Sequence, residues 1–282
     1  MRATGSPPMR ITVCEWPDQR SSLGEVWQRL VDHVRSNGSE LVLLPEMPFA
    51  SWLAGRASFD GDVWMQAVAA HDAWERRFPE LGGAVVLGTR PVQFGNQRYN
   101  SAFVWDRQLG TRSAHAMSFL SEAAEGAAAG WYHPAPAEFT PIEVGSASVG
   151  FLIETELWAM EEARAYGVEG VQLLATPRRT LAQQAERWIA AGRVAAVLAG
   201  AFGVSSSRVA PAGAVGGPGW ILSPDGQTLA LTEAEQPFVT ESIDLTAADR
   251  AKQTYPRTLF RGPAGSASRA LTRSAPGLEQ SG

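Results

Sequence analysis

The chain has 282 residues, 45% of them apolar and 9% aromatic, with a formal charge of -5. That length and apolar content suffice for one α/β domain with a large core, and an acidic balance with scattered arginines offers no basic face for nucleic acid. No apolar run approaches the roughly 18 residues of a membrane span, and the opening MRATGSPPMR has no signal-peptide core, so the chain is read as cytoplasmic with no membrane partner.

In chain order, 9–17 (MRITVCEWP) reads as a buried strand, and Ser22 with Glu25 forms a capping-box pattern that opens a helix. Leu23, Val26, Trp27, Leu30, Val31 and Val34 repeat at helical spacing until Asn37-Gly38 stops it. Leu41 to Leu44 is a short, wholly apolar run, the pattern of a strand covered on both faces, and it ends in Pro45-Glu46. A helix is predicted over 62–77 and strands over 83–87, 101–106 and 112–120. Strands at 141–144 and 148–153 follow, broken by Gly145, with Glu154 at the end of the second. The rest reads as a helix over 156–166, a strand at 171–175, a helix over 180–197, a strand at 198–204, and a hairpin of 220–223 with 228–231. Residues 1–8 and 262–282 are predicted to be disordered ends around a domain spanning 9–261. Alternating strands and helices with antiparallel pairs mixed in indicate a layered α/β or α+β architecture.

Glu46 and Glu154 each end an apolar strand, where open α/β sheets place their ligands. His115 would share a strand face with Met117, and Arg178 and Arg179 follow another buried strand, where they could hold an anionic group. Tyr132 and Trp158 are candidate pocket walls, with core packing as the competing reading. The single cysteine, Cys14, lies mid-strand in an apolar setting and reads as structural; the single lysine, Lys252, reads as a surface or interface residue. The spacing of His, Glu and Asp shows no metal site, and no cofactor is expected.

Taken in order, ITVCEWPD, SELVLLPEMPF, GTRP with RYNSAFVWD, AHAMSFLSE, WYHP, VGFLIETELWAMEEARAYGVEGVQLLATPRRT, GGPGWILSPDGQTLA and AKQTYPR resemble the nitrilase, or carbon–nitrogen hydrolase, superfamily over roughly residues 9–257. The resemblance implies a four-layer αββα sandwich, a homodimer or higher assembly, a small-molecule substrate, and hydrolysis through a Glu, a Lys and a Cys. Glu46 matches the general base. The lysine position falls on Met117 in the best register and on Ala116 in its neighbour, and the cysteine position falls on Glu154. The resemblance therefore implies an altered site in which Glu46 and Glu154 converge. Two like charges about 4 Å apart at an effective dielectric near 20 repel by about 4 kcal/mol, so one of the pair should hold a proton near neutral pH. Carboxylate acid–base chemistry on a small nitrogen-containing molecule, of a lyase, hydratase or cyclase kind, is the expectation, with a ligand-binding pseudoenzyme as the alternative.

Overall fold

A computed structural model describes residues 8–53, 56, 58–120, 128–210 and 215–260. The ends expected to be disordered, at 1–7 and 262–282, and most of the loop at 122–130 lie outside the described residues. The elements run β1 (Met9–Pro17), α1 (Leu23–Asn37), β2 (Leu41–Leu43), α2 (Gly61–Glu75), β3 (Val85–Phe94), β4 (Gln97–Asp106), β5 (Gly110–Ala116), α3 (Ala128–Trp131), β6 (Ile142–Val144), β7 (Ala147–Phe151), α4 (Met160–Val168), β8 (Leu173–Arg178), α5 (Ala185–Ala199), β9 (Phe202–Val209), β10 (Trp220–Leu222), β11 (Thr228–Leu231), β12 (Phe238–Ile243) and α6 (Leu245–Ala251).

The strand order is β5-β4-β3-β2-β1-β9-β8-β7-β6, with β12 added to β1 and the β10–β11 hairpin added to β9. The opening strand is shared. Its first part pairs with β12 and β2, and its last residues, Glu15 to Pro17, pair in parallel with β9. Two sheets result, joined through β1, and their inner faces meet in one apolar layer: Ile11, Leu43, Leu87 and Val104 on one side face Val149, Phe151, Leu173 and Val204 on the other. The outer face of the first sheet is covered by α1, through Trp27, Leu30 and Val34, together with Phe78. The outer face of the second is covered by α4 and α5, through Ala163, Tyr166, Ile189 and Ala196. This is the αββα sandwich, with the parallel strands β1, β2, β7, β8 and β9 buried on both faces, as their continuous apolar runs require.

Several boundaries differ from the sequence reading for physical reasons. Ser22 makes no side-chain cap; its hydroxyl donates to the Gln19 carbonyl, and the predicted capping box is absent. The helix read over 180–197 begins only at Ala185 and continues through Ala199, where Gly200 in the left-handed region (φ 60°) ends it, so the next strand starts at Phe202 rather than 198. The strand read over 112–120 stops at Ala116 because residues beyond it leave the sheet, and the Ser118 amide donates to the Glu156 side chain. The helix read over 156–166 is split into a 3-10 turn at Glu154–Trp158 and the helix α4.

Candidate active site

Two turns at strand ends build the site, and they share a backbone signature. Among the described residues, the non-glycine residues with positive φ are Met47 (41°) and Glu154 (44°). Such a conformation costs on the order of 1 kcal/mol or more and persists where surrounding bonds impose it. The first turn follows β2. Leu44 is still paired, its amide donating to the Leu87 carbonyl; the chain then bends through Glu46 and Met47. The Met47 amide donates to Thr89 Oγ1 at 3.0 Å, and Trp16 Nε1 donates to the Pro48 carbonyl at 3.0 Å. From β9, the Arg208 guanidinium donates to the Met47 carbonyl at 2.5 Å and the Ala50 carbonyl at 2.7 Å.

The second turn follows β7 and is held by Glu156. That buried carboxylate accepts from the amides of Ile153 (2.9 Å) and Ser118 (2.7 Å) and lies 2.9 Å from His115 Nε2. The other ring nitrogen, His115 Nδ1, lies 3.1 Å from the Glu138 carbonyl. His115 therefore does not line the site beside Met117; it braces Glu156, which braces the turn presenting Glu154. Thr155 completes the brace, with its hydroxyl donating to the Phe119 carbonyl at 2.6 Å and its amide to Glu154 Oε2 at 2.7 Å.

Glu46 is 1% exposed and Glu154 partly buried. Asn100 Nδ2 donates to Glu46 Oε1 at 2.7 Å and stands 3.6 Å from Met117 Sδ. Met117 is thus the residue that faces the carboxyl, while Ala116 pairs with Ser101 inside the ladder. Three polar atoms here are buried without a protein partner: Glu46 Oε2, Asn100 Oδ1 and Tyr132 Oη. Buried polar atoms are rarely left so, and a small polar ligand would satisfy all three if it reached them.

Burial is the main cause of the electrostatics, ahead of the repulsion foreseen from sequence. It lifts Glu46 well above the ordinary carboxylate range; the Glu154 charge lifts it further, and Arg208, Arg179 and the Asn100 bond oppose more weakly. Burial also raises Glu154, to about 7, against the bonds from Thr155 and the charges of Arg178 and Arg179. Tyr132 is raised well above its usual value, first by burial and then by both glutamates, which places all three groups in one electrostatic neighbourhood.

The remaining sequence candidates are placed elsewhere. Arg178 is fully buried and committed to the framework: Nε donates to Ser205 Oγ (3.0 Å), Nη1 to Thr180 Oγ1 (2.7 Å) and Nη2 to the Pro218 carbonyl, with the guanidinium over the Trp220 ring. It has no donor to spare for a substrate. Trp158 is 43% exposed and packs edge-on against Trp188 of the outer helical layer, away from a pocket wall. Lys252 is buried rather than on the surface, donating to the carbonyls of Gly200 and Ala248, and burial brings its pKa down to about 8. Cys14 is fully buried in β1, its thiol 3.3 Å from the Leu43 carbonyl, and burial pushes its pKa up to about 12. Asn100 and Arg208 were missed. Each is a lone polar or basic residue in an otherwise strand-like run, NSAFVW and FGVSSSRV, and that isolation was the available signal.

A two-sheet αββα sandwich with carboxyls gathered at the C-terminal ends of its parallel strands defines the nitrilase class of fold. The carbon–nitrogen hydrolase family model matches residues 10–253, and the chain belongs to that family. A carbon–nitrogen hydrolase from Helicobacter pylori G27 is similar in structure at a TM-score of 0.75 and 17% identity, covering 90% of this chain and 95% of that one. An amidase from Nesterenkonia sp. AN1, whose active-site cysteine takes the acetamide moiety of fluoroacetamide, gives 0.71 at 17% identity over 90% and 96%. The C. elegans NitFhit protein gives 0.78 at 16% identity, covering 92% of this chain and 66% of that one. No curated protein matches the sequence.

Proposed function

We propose that this carbon–nitrogen hydrolase family member acts on a small nitrogen-containing molecule by acid–base chemistry between Glu46 and Glu154, without a thiol. The observation that carries the reading is the left-handed turn at Glu154. It puts a carboxyl where the family resemblance would put the nucleophilic cysteine, while the only cysteine, Cys14, is enclosed in β1 with a strongly raised pKa. Glu46, the more deeply buried, keeps its proton to higher pH and serves as the acid; Glu154, raised to about 7, ionises first and serves as the base. In one turnover Glu154 accepts a proton from substrate or water and Glu46 delivers one to the departing or newly basic atom. No covalent enzyme intermediate is needed, and an elimination, hydration or ring closure fits that exchange.

Glu46→Gln and Glu154→Gln test the proposal against a panel of small amides, nitriles and amino acids. Each is expected to lower kcat by at least about 100-fold. Full turnover in both variants would remove the proposal. Ligand binding without conversion is the second reading, supported by the three buried polar atoms that lack protein partners. A bound ligand that stabilises the protein but is recovered unchanged would favour it.

A further inference from the structure

We propose that Arg179 is the anion-recognising residue of this pocket and that the ligand bears a carboxylate. The inference rests on the site reading above and names a substrate class for it. Three arginines stand at the C-terminal ends of β8 and β9, and their guanidinia are not equivalent. Arg178 is enclosed by Ser205, Thr180 and the Gly217 and Pro218 carbonyls. Arg208 is enclosed by Asp18, at 2.6 Å, and by the carbonyls of Met47 and Ala50. Arg179 is different: among the described residues its one hydrogen bond runs from Nη2 to Asp18 Oδ2 at 3.2 Å.

Arg179 Nε is buried with no partner, and the guanidinium lies 4.6 Å from the centroid of the Trp52 ring. Stacking on the indole fixes the plane of the cation and leaves its edge for an in-plane acceptor. Asp18 is shared between two guanidinia, so its single negative charge does not neutralise both. A largely enclosed cation with unused donors is costly until an anion completes it. Through Asp18 and Arg208 this edge is tied to the turn that carries Glu46, and the Arg179 charge acts on Glu46, Glu154 and Tyr132 alike.

A planar monoanion suits the edge better than phosphate. Guanidinium pairs with carboxylate through two parallel N–H···O bonds, and a dianion would have to enter the field of Glu46 and Glu154. The substrate class that follows is a short molecule with a nitrogen function at the Glu46–Glu154 end and a carboxylate at the Arg179 end.

Calorimetric titration with the monoamide of glutaric acid and with its neutral diamide isolates the charged group. Wild type is expected to bind the monoamide about 10- to 100-fold more tightly than the diamide. Arg179→Gln should erase that preference, and Arg179→Lys should keep part of it, since the charge survives without the planar fork. Equal affinity of wild type for the two compounds, no binding of either, or an undiminished preference in Arg179→Gln overturns the proposal. Should Arg179→Gln fail to fold, Arg179→Lys with a preference equal to wild type does the same. Binding is read without turnover, so this result and the turnover of the Glu→Gln variants fail independently.

Discussion

Asn100 Nδ2 donates to Glu46 Oε1 at 2.7 Å, and this is the one protein hydrogen bond made by either of those two side chains' carboxyl and amide groups besides the 3.6 Å approach to Met117 Sδ. The bond favours the ionised carboxylate and so opposes the burial that lifts the Glu46 pKa. Asn100→Leu is expected to raise that pKa further, and Met117→Lys, which brings an ammonium to the same place, to lower it. Difference infrared spectroscopy of the protonated carboxyl band across a pH series checks both. Opposite shifts are expected, and shifts in the same direction would contradict the assignment of Met117 as the residue facing Glu46.

The raised pKa of Glu154 fixes the sign of a stability profile. The folded state holds the proton up to about 7 and the unfolded chain only to about 4.5, so between those values the folded protein binds more protons. Stability should fall as pH rises through that window, by up to about 3 kcal/mol, and Glu46 continues the trend at higher pH. Glu154→Gln is expected to flatten the slope and to be more stable than wild type at pH 8. Urea midpoints between pH 4.5 and 8 give the measurement, and a stability that rises across this range in wild type would contradict it.

Much of this arrangement could be read in the residues. The helical spacing of Leu23, Trp27, Leu30 and Val34 gave α1, and apolar runs ending in glutamate gave both site carboxyls, because strands buried on two faces leave a clear signature. β12 and α6 escaped the reading since Phe238–Ile243 buries mainly its end residues and carries polar groups between them. The outer halves of β3 and β4 are likewise polar and partly exposed, and only the strand ends near the core were recognised. The choice between Arg178 and Arg179 was beyond the sequence, for adjacent arginines differ only in what surrounds them. Trp220, Thr180 and Ser205 converge on the first from distant segments.

Glu156 is a positioning residue with three buried donors on one carboxylate. Glu156→Gln replaces an acceptor oxygen by an NH2 group that confronts backbone amides, and should cost about 3 kcal/mol. It should also reduce kcat while leaving the ionisation of Glu46 in place. A thermal scan read together with the infrared series separates the two effects; unaltered stability would show that the turn holds without this carboxylate.

Cys14 is expected to be inert. Folded protein treated with iodoacetamide should keep its mass, with alkylation appearing only in denaturant, because the thiol is enclosed and its pKa is raised to about 12. Intact-mass spectrometry checks this. Rapid labelling of the native chain, with loss of turnover, would return the chemistry to a thiol.

The pairing of β1 with β12 bears on how the molecule is made. Met9 lies opposite Ile243 and Cys14 opposite Phe238, so a strand synthesised at the outset waits for neighbours made near the end. Until then its apolar edge is open to any other strand, and release of the nascent chain before that point leaves the edge uncovered. Ribosome stalling or truncation ahead of Phe238 should thus yield aggregates rather than a smaller folded form.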